Sequence, residues 1–409
     1  MADEPERIGI GLENEAANFL GIVTFHVVPQ AGIDETDILT VEARGRSVRP
    51  IAKSGFTPAE PTKFSFHTCF FPEGEQTIKF SLRSRAGALL EETERTVIFA
   101  KPNDLSENIR RFFESHEVPW GFFGLTDYGK YRAERLDSAS SLRPWFDRPD
   151  AGAHIEVLQK EKRINDDEAE LLRRFVEDGI IILDNLIDGG TVDAANNAID
   201  LAIEEKVQNY KYGSSQRIEH LHAKYPGIRK LWLDPRHRRI VEILFDRRAR
   251  PAQTLTYVFG SQQESHQDTI HLTPFPPGYM CGTWIALQDV QPDSGELVYY
   301  PGSHREPRVY MHEVKAKKTV TDWSDFQAKV PPIWREIASR YHQIVYRPRK
   351  GTVAIWHENL LHGGSVRKDA SLERRSIVIH CFADGCVSLA DSSGITSTAA
   401  SLAEVDAAS

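Results

Sequence analysis

His266-Gln267-Asp268 is followed along the chain by Thr283-Trp284-Ile285-Ala286-Leu287-Gln288-Asp289, by Thr352-Val353-Ala354-Ile355-Trp356, and then by Leu361-His362-Gly363-Gly364 and Arg374-Arg375. In an extended chain, side chains at i and i+2 point to the same side. His266 and Asp268 can therefore face one metal ion from a single strand end. A third donor must come from a distant segment folded alongside. His362 qualifies, because it follows a strand-like run and precedes a Gly-Gly turn that lets the backbone approach closely. Two imidazoles and a carboxylate are the set that holds non-haem Fe(II) on one face and leaves the other open. A basic residue on a nearby strand then suits a dicarboxylate cosubstrate. The pattern points to an oxygenase using Fe(II), O2 and 2-oxoglutarate.

Other readings compete. The chain has 15 histidines, and His271, His304, His357 and His380 lie near the same segments. His357 is the main rival for the third ligand. A zinc hydrolase can also use two His and one carboxylate, with Glu264 or Glu358 as general base, but has no use for the arginine. A non-catalytic cupin-like binding protein is the rival from a different class.

Outward from these motifs, 409 residues suggest two domains. Strand-like runs at 19–28, 37–43, 63–71, 76–82 and 92–100 are separated by Pro- and Gly-containing turns, and 77–82 alternates with period two. Residues 1–105 are thus expected to form a small β-sandwich. Residues 106–164 are dense in aromatics and poor in periodicity, and read as an ordered, irregular connector. From 165 the pattern turns helical, with Asn165 and Glu168 as a capping box and Gly179 as the stop. A second helix is expected near 191–208. Strands follow at 254–259, 283–290, 297–300, 351–356 and 375–382. An insertion over 305–345, with a helix-like stretch at 326–341, is either a lid or an oligomer contact. The tail over 391–409 is small, polar and expected to be disordered.

Composition bounds the class. Hydrophobic residues are 40% and charged residues 27% of the chain. That is the profile of a soluble globular protein. A net charge of −9 gives no basic field for nucleic acid or an anionic membrane. Met1-Ala2-Asp3-Glu4-Pro5-Glu6 lacks the features of a secretory signal. No apolar run reaches the length that spans a bilayer. Four scattered cysteines suggest a reducing, cytoplasmic setting. Cys381 and Cys386 read as buried thiols.

At these motifs the chain resembles the phytanoyl-CoA dioxygenase family of Fe(II)/2-oxoglutarate oxygenases. The shared pieces, in order, are His266-Gln267-Asp268, residues 283–289, Ser294-Gly295-Glu296-Leu297, Pro301-Gly302-Ser303-His304, Leu361-His362-Gly363-Gly364-Ser365 and Arg374 to His380. The resemblance covers residues 165–390 and implies a mainly β fold with flanking helices, a double-stranded β-helix (jelly roll, cupin-like). It implies His266, Asp268 and His362 as iron ligands, Gln267 and Trp284 beside the cosubstrate, and a basic residue clamping its distal carboxylate. A guanidinium suits that task because its planar fork meets a carboxylate bidentately and stays charged when buried. Arg374 is favoured over Arg375 once His-Gly-Gly-Ser is aligned on Ser365, and Ser365 is expected to bond the same carboxylate. Related halogenases replace the carboxylate ligand with a small residue. Asp268 therefore favours hydroxylation or desaturation of a small-molecule substrate, with self-association left open.

Overall fold

The computed structural model describes residues 7–100, apart from 14–18, 20–21, 31, 35, 44–45, 49–60, 69–70 and 72, and residues 143–408, apart from 312–313, 319–320 and 394–397. Cys69 and most of the aromatic connector, 101–142, lie outside the described residues. Two units emerge, one drawn from Met1–Ser106 and Val309–Lys317, the other from Glu107–Arg308 and Lys318–Ser409.

The first unit is built of antiparallel strands β1 (Ile8–Leu12), β2 (Ile22–Pro29), β3 (Ile38–Ala43), β4 (Arg46–Val48), β5 (Thr62–His67), β6 (Gly74–Arg83) and β7 (Leu89–Phe99). One sheet has the order β1-β2-β5, the other β4-β3-β6-β7. Along β6, Gln76, Ile78, Phe80 and Leu82 are buried while Thr77 is exposed. Period two in the sequence thus becomes an inner and an outer face. The two inner faces meet where Phe80 packs edge-on against Phe25, ring centroids 5.3 Å apart, a favoured geometry for two aromatic rings. Strand β1, with glycines at 9 and 11, carried too weak a pattern to be read from sequence.

In the second unit, helix α1 (Ala151–Lys160) corrects the expectation of an irregular connector up to 164. Ala151, Ile155 and Leu158 recur at helical spacing and are buried, a signal masked by the neighbouring aromatics. Helix α2 (Asp166–Asp178) starts at the Asn165/Glu168 capping box and stops at Gly179, whose φ is 77°. Only glycine adopts that conformation freely. Helices α3 (Gly189–Glu204), α4 (Pro226–Trp232) and α5 (Pro235–Phe245) complete this layer.

The remaining strands are β8 (Ile180–Leu183), β9 (Ile218–Glu219), β10 (Ala249–Tyr257), β11 (Thr273–Phe275), β12 (Met280–Ala286), β13 (Leu297–Tyr299), β14 (Ile344–Tyr346), β15 (Val353–His357), β16 (His362–Gly364), β17 (Ser376–Ala383) and β18 (Val387–Leu389). A six-stranded antiparallel sheet runs β8-β15-β12-β17-β10-β9, and a three-stranded sheet runs β14-β13-β16. The unit is a mainly β jelly roll of the cupin kind with helices on one face. Side-chain alternation decides which face. Ile285, Val353, Ile355, Ile377, Ile379 and Cys381 join the helices in one core. Their sequence neighbours Trp284, Ala286, Ala354, Trp356 and Val378 point the other way into a second cluster.

Helix α6 (Ser324–Ala338) lies in the insertion and buries Phe326, Val330, Ile333, Trp334 and Ile337. The C-terminal stretch is also packed, contrary to the disorder expected of it. Helix α7 (Leu402–Asp406) starts at a Ser401/Glu404 capping box, Val405 is 0% exposed, and its carbonyl accepts from Arg238 Nη1 at 3.0 Å. Small, polar composition hid one buried valine and a cap. Among the described residues no helix is long and apolar enough to cross a membrane. Val405→Asp should destabilise the protein by at least about 2 kcal/mol, because it buries an unpaired carboxylate. Urea unfolding measures this, and an unchanged midpoint would show that the tail does not pack.

Candidate metal centre

Residues 266 and 362 form a reciprocal antiparallel bridge outside the named sheets. The His266 N–H donates to the His362 carbonyl at 2.8 Å, and the His362 N–H donates back at 3.1 Å. Two imidazoles far apart in sequence are thereby set side by side, ring centroids 4.6 Å apart. The approach requires glycine on the distal side. A Cβ at Gly363 would sit 2.8 Å from the Gln263 carbonyl oxygen, and one at Gly364 would sit 2.8 Å from the Gln262 amide nitrogen.

Each ring is oriented in the same way. His266 Nδ1 faces the Glu264 carbonyl and His362 Nδ1 the Leu360 carbonyl, both at 2.9 Å. With Nδ1–H donating there, each Nε2 lone pair is left for a metal. Asp268 Oδ1 lies 3.5 Å from His266 Nε2, and Oδ2 lies 3.7 Å from His362 Nε2. One donor atom from each residue falls within 4.8 Å of the others. Asp268 is not on a regular strand but opens a one-turn 3-10 helix, Asp268–Ile270. Its carboxylate accepts from Trp356 Nε1 at 2.9 Å, and its backbone N–H donates to the Glu358 carbonyl at 3.0 Å.

The electrostatics suit a cation. Burial alone would raise the Asp268 carboxyl, but the imidazoles of His362, His266 and His380 outweigh it and hold it well below the usual range. Burial pulls His362 down to about 4, against the opposing pull of Asp268, so it is neutral near pH 7. A buried carboxylate beside a neutral imidazole is a donor set that needs no proton removed before metal binds. Two nitrogens and one oxygen fit ferrous iron, with the rest of the coordination sphere free.

The three residues open onto a cavity of about 850 Å³. Trp284 and Arg374 line it as well. Arg374 is 3% exposed, and burial pulls its guanidinium down to about 10, so it stays charged at neutral pH. Its Nε donates to the Gly295 carbonyl at 3.0 Å and its Nη1 to Ser376 Oγ at 2.6 Å. Tyr257 and Trp284 each stand 5.7 Å from it. Arg375 faces the helix side, bonded to Glu373 and to Asp200 of α3.

Two residues expected beside the cosubstrate lie off the cavity lining. Gln267 does not line the cavity. As the residue between two ligands it points away from the cavity, into buried surroundings. It donates to the Asn359 carbonyl at 3.3 Å and accepts from Trp334 Nε1 at 3.3 Å. Ser365 also lies outside the cavity, its hydroxyl donating to Glu296 Oε2 at 2.6 Å. Ser376 is the hydroxyl that meets Arg374. Sequence reading missed it, along with Trp356 and Tyr257, although all three stand on strands of the right parity.

Of the rival histidines, His271 and His380 line the same cavity, His380 Nε2 lying 3.7 Å from Asp268 Oδ2, whereas the main rival, His357, is elsewhere. His357 Nε2 lies 3.2 Å from Asp147 Oδ1, in a buried cluster where Arg308 donates to Asp147 at 2.8 Å and to Glu358 at 2.7 Å. Burial raises the Glu358 carboxyl, with Arg308 and His357 pulling the other way. Glu264 is exposed and pairs with Arg335. Neither glutamate lines the cavity, so neither is placed as a hydrolase base. The loop 274–279 is structural too, the Gly278 N–H donating to Glu358 Oε1 at 2.9 Å. Cys281 and Cys381 are buried free thiols.

A jelly roll whose mouth carries two histidines, an aspartate and a buried arginine defines the class of non-haem iron oxygenase folds. Residues 175–375 match the family Phytanoyl-CoA dioxygenase (PhyH), whose members use Fe(II), 2-oxoglutarate and O2. "Phytanoyl-CoA dioxygenase domain-containing protein 1" of Danio rerio is 28% identical over 171 residues, covering 39% of this chain and 55% of that protein. Its Mus musculus counterpart is 33% identical over 97 residues, 22% of this chain and 33% of that one. The chain thus spans about half the length of the first of these relatives and a third of the second. Among solved structures, the non-heme alpha ketoglutarate dependent carbocyclase SnoK from nogalamycin biosynthesis is 19% identical, over 56% of this chain and 88% of that one, with a TM-score of 0.43. EctD from S. alaskensis with bound Fe is also 19% identical, over 54% and 77%, with a TM-score of 0.41.

Trp356→Phe removes the donor to Asp268 while keeping an aromatic ring in place. It should weaken Fe(II) binding by about 10–100-fold with an unchanged circular dichroism spectrum. Anaerobic metal titration reads the affinity. Arg308→Met should cost about 3–5 kcal/mol in urea unfolding, because it removes the cation shared by two buried carboxylates.

Proposed function

We propose that this protein is an Fe(II)- and 2-oxoglutarate-dependent dioxygenase that hydroxylates an unactivated C–H bond of a small metabolite or natural-product intermediate, with release of succinate and CO2. One observation carries the reading. His266, Asp268, His362 and the buried, still-charged Arg374 all face one cavity. Iron held there, with 2-oxoglutarate and O2, supplies the oxidation of the C–H bond.

The protein's own residues do the rest. His266, Asp268 and His362 hold the metal on one face. Arg374 meets the distal carboxylate of 2-oxoglutarate, its side chain braced by Gly295 and Ser376. Trp284 and Tyr257 flank that arginine and exclude water from the pair. The presence of Asp268 favours hydroxyl transfer over halogenation, which needs that position vacant. The cavity, about 850 Å³ in volume, has the size of a small-molecule site. The net charge of −9 offers no field for nucleic acid or membrane, so the partner is a small molecule.

Anaerobic addition of Fe(II) and then 2-oxoglutarate should produce the weak visible charge-transfer band of the chelate. Arg374→Ala should lose the band or require far more 2-oxoglutarate, whereas Arg375→Ala should retain it. Absence of the band with tight zinc retention instead would support a hydrolase, and absence with no metal bound would support a binding protein.

A further inference from the structure

Charge accounting inside the cavity leaves one cation without a task. The charged residues lining it are Arg217, Lys318 and Arg374, with Glu219 and Asp268 as the acids. Asp268 belongs to the metal centre. Glu219 is taken by Arg217, Oε1 to Nε 2.7 Å. Neither Arg374 nor Lys318 is in an ion pair with any described residue. On the proposed function, one 2-oxoglutarate brings one distal carboxylate, and that occupies Arg374. Lys318 remains.

Lys318 is held in place although no acid holds it. Its Nζ sits 3.2 Å from the centre of the Trp323 ring and 3.5 Å from Ser392 Oγ, and the ring face attracts the cation. The same hydroxyl lies 3.1 Å from His271 Nδ1, three residues along from Asp268. Lys318 therefore belongs to the wall that continues from the metal ligands. Partial burial, with the Arg217 guanidinium nearby, pulls its ammonium down to about 8. That is the direction expected of a cation that lacks a counter-ion. Arg217 is exposed and stands at the cavity rim, its charge already offset by Glu219. Trp323, Leu272, Leu255 and Val378 are among the apolar walls of the same cavity.

We infer that Lys318 is the anchor for a single carboxylate on the primary substrate, whose apolar body lies along Trp323 and Leu272 with the C–H to be oxidised near the metal ligands. One uncompensated cation matches one negative charge. A phosphate dianion would bring a second negative charge with no cation left to meet it. The inference rests on the proposed function for the direction of the substrate, though the anion site itself exists without iron.

The test is equilibrium binding by calorimetry on the metal-free protein. The probes are a panel of aliphatic and aromatic monocarboxylates, each paired with its primary amide, plus the matching alkyl phosphates. At least one carboxylate should bind about 10–100-fold tighter than its amide, the worth of a charged hydrogen bond in a half-buried site. Lys318→Gln should abolish that preference while leaving amide affinity unchanged, and Lys318→Arg should keep it. Arg374→Ala should also keep it, which separates this site from the cosubstrate's. No carboxylate preference anywhere in the panel, a preference that survives in Lys318→Gln, one lost only in Arg374→Ala, or tighter binding of the phosphates would each overturn the assignment. The chelate band formed with Fe(II) and 2-oxoglutarate, followed in parallel in Lys318→Gln, reports on the proposed function alone, so the two readings fail separately.

Discussion

The reciprocal backbone pair between His266 and His362 is the contact on which the site depends. It joins segments distant in sequence and brings two isolated histidines together as two of the three candidate metal ligands. Each ring then donates to the carbonyl two residues before it, so one local rule orients both imidazoles. The close approach is possible only because Gly363 and Gly364 carry no Cβ to meet the facing backbone. Trp356, reaching over from β15, fixes the carboxylate of the third ligand.

The six-stranded sheet supplies the platform. Its pleat sends Ile285, Val353, Ile355, Ile377 and Ile379 into the helical layer and Trp284, Trp356 and Val378 toward the metal centre. The same parity separates the two arginines. Arg374 shares the side of Ser376, Val378 and His380, and Arg375 is sent to Asp200 on the helix face. A shift of one residue in β17 would exchange a buried, cavity-facing cation for a surface ion pair.

Buried charge is handled in two ways. Behind the site Arg308 is shared by Asp147 and Glu358, with His357 Nε2 beside Asp147, and the Glu358 carbonyl accepts the N–H groups of both Asp268 and Thr269. Structural charge is thus compensated internally while supporting the ligand turn. Arg374 and Lys318 instead face the cavity with no ion pair to any described residue, and a buried charge left unpaired is costly until a ligand meets it. Helix α6 divides its aromatics accordingly, Phe326 and Trp334 being buried and Trp323, its cap residue, lining the cavity.

Period-two alternation and metal-ligand chemistry, written locally, singled out His266, Asp268 and His362, and the resemblance to the phytanoyl-CoA dioxygenase family added the jelly roll, Trp284 and Arg374; all five residues line one cavity. The Asn165/Glu168 cap and the Gly179 stop were legible for the same reason. What local pattern could not determine was which partner each polar side chain would meet. Gln267 and Ser365 were assigned to the cosubstrate, yet one bonds Trp334 and the other Glu296, since those partners come from remote segments. The packed tail and helix α1 escaped notice because a few buried residues, Val405 among them, outweigh an ordinary composition. Only the tertiary structure could decide that Lys318 shares a cavity with the metal ligands. That decision rests on chain segments meeting in space, and a cation's need for a partner becomes visible only when its neighbours are known.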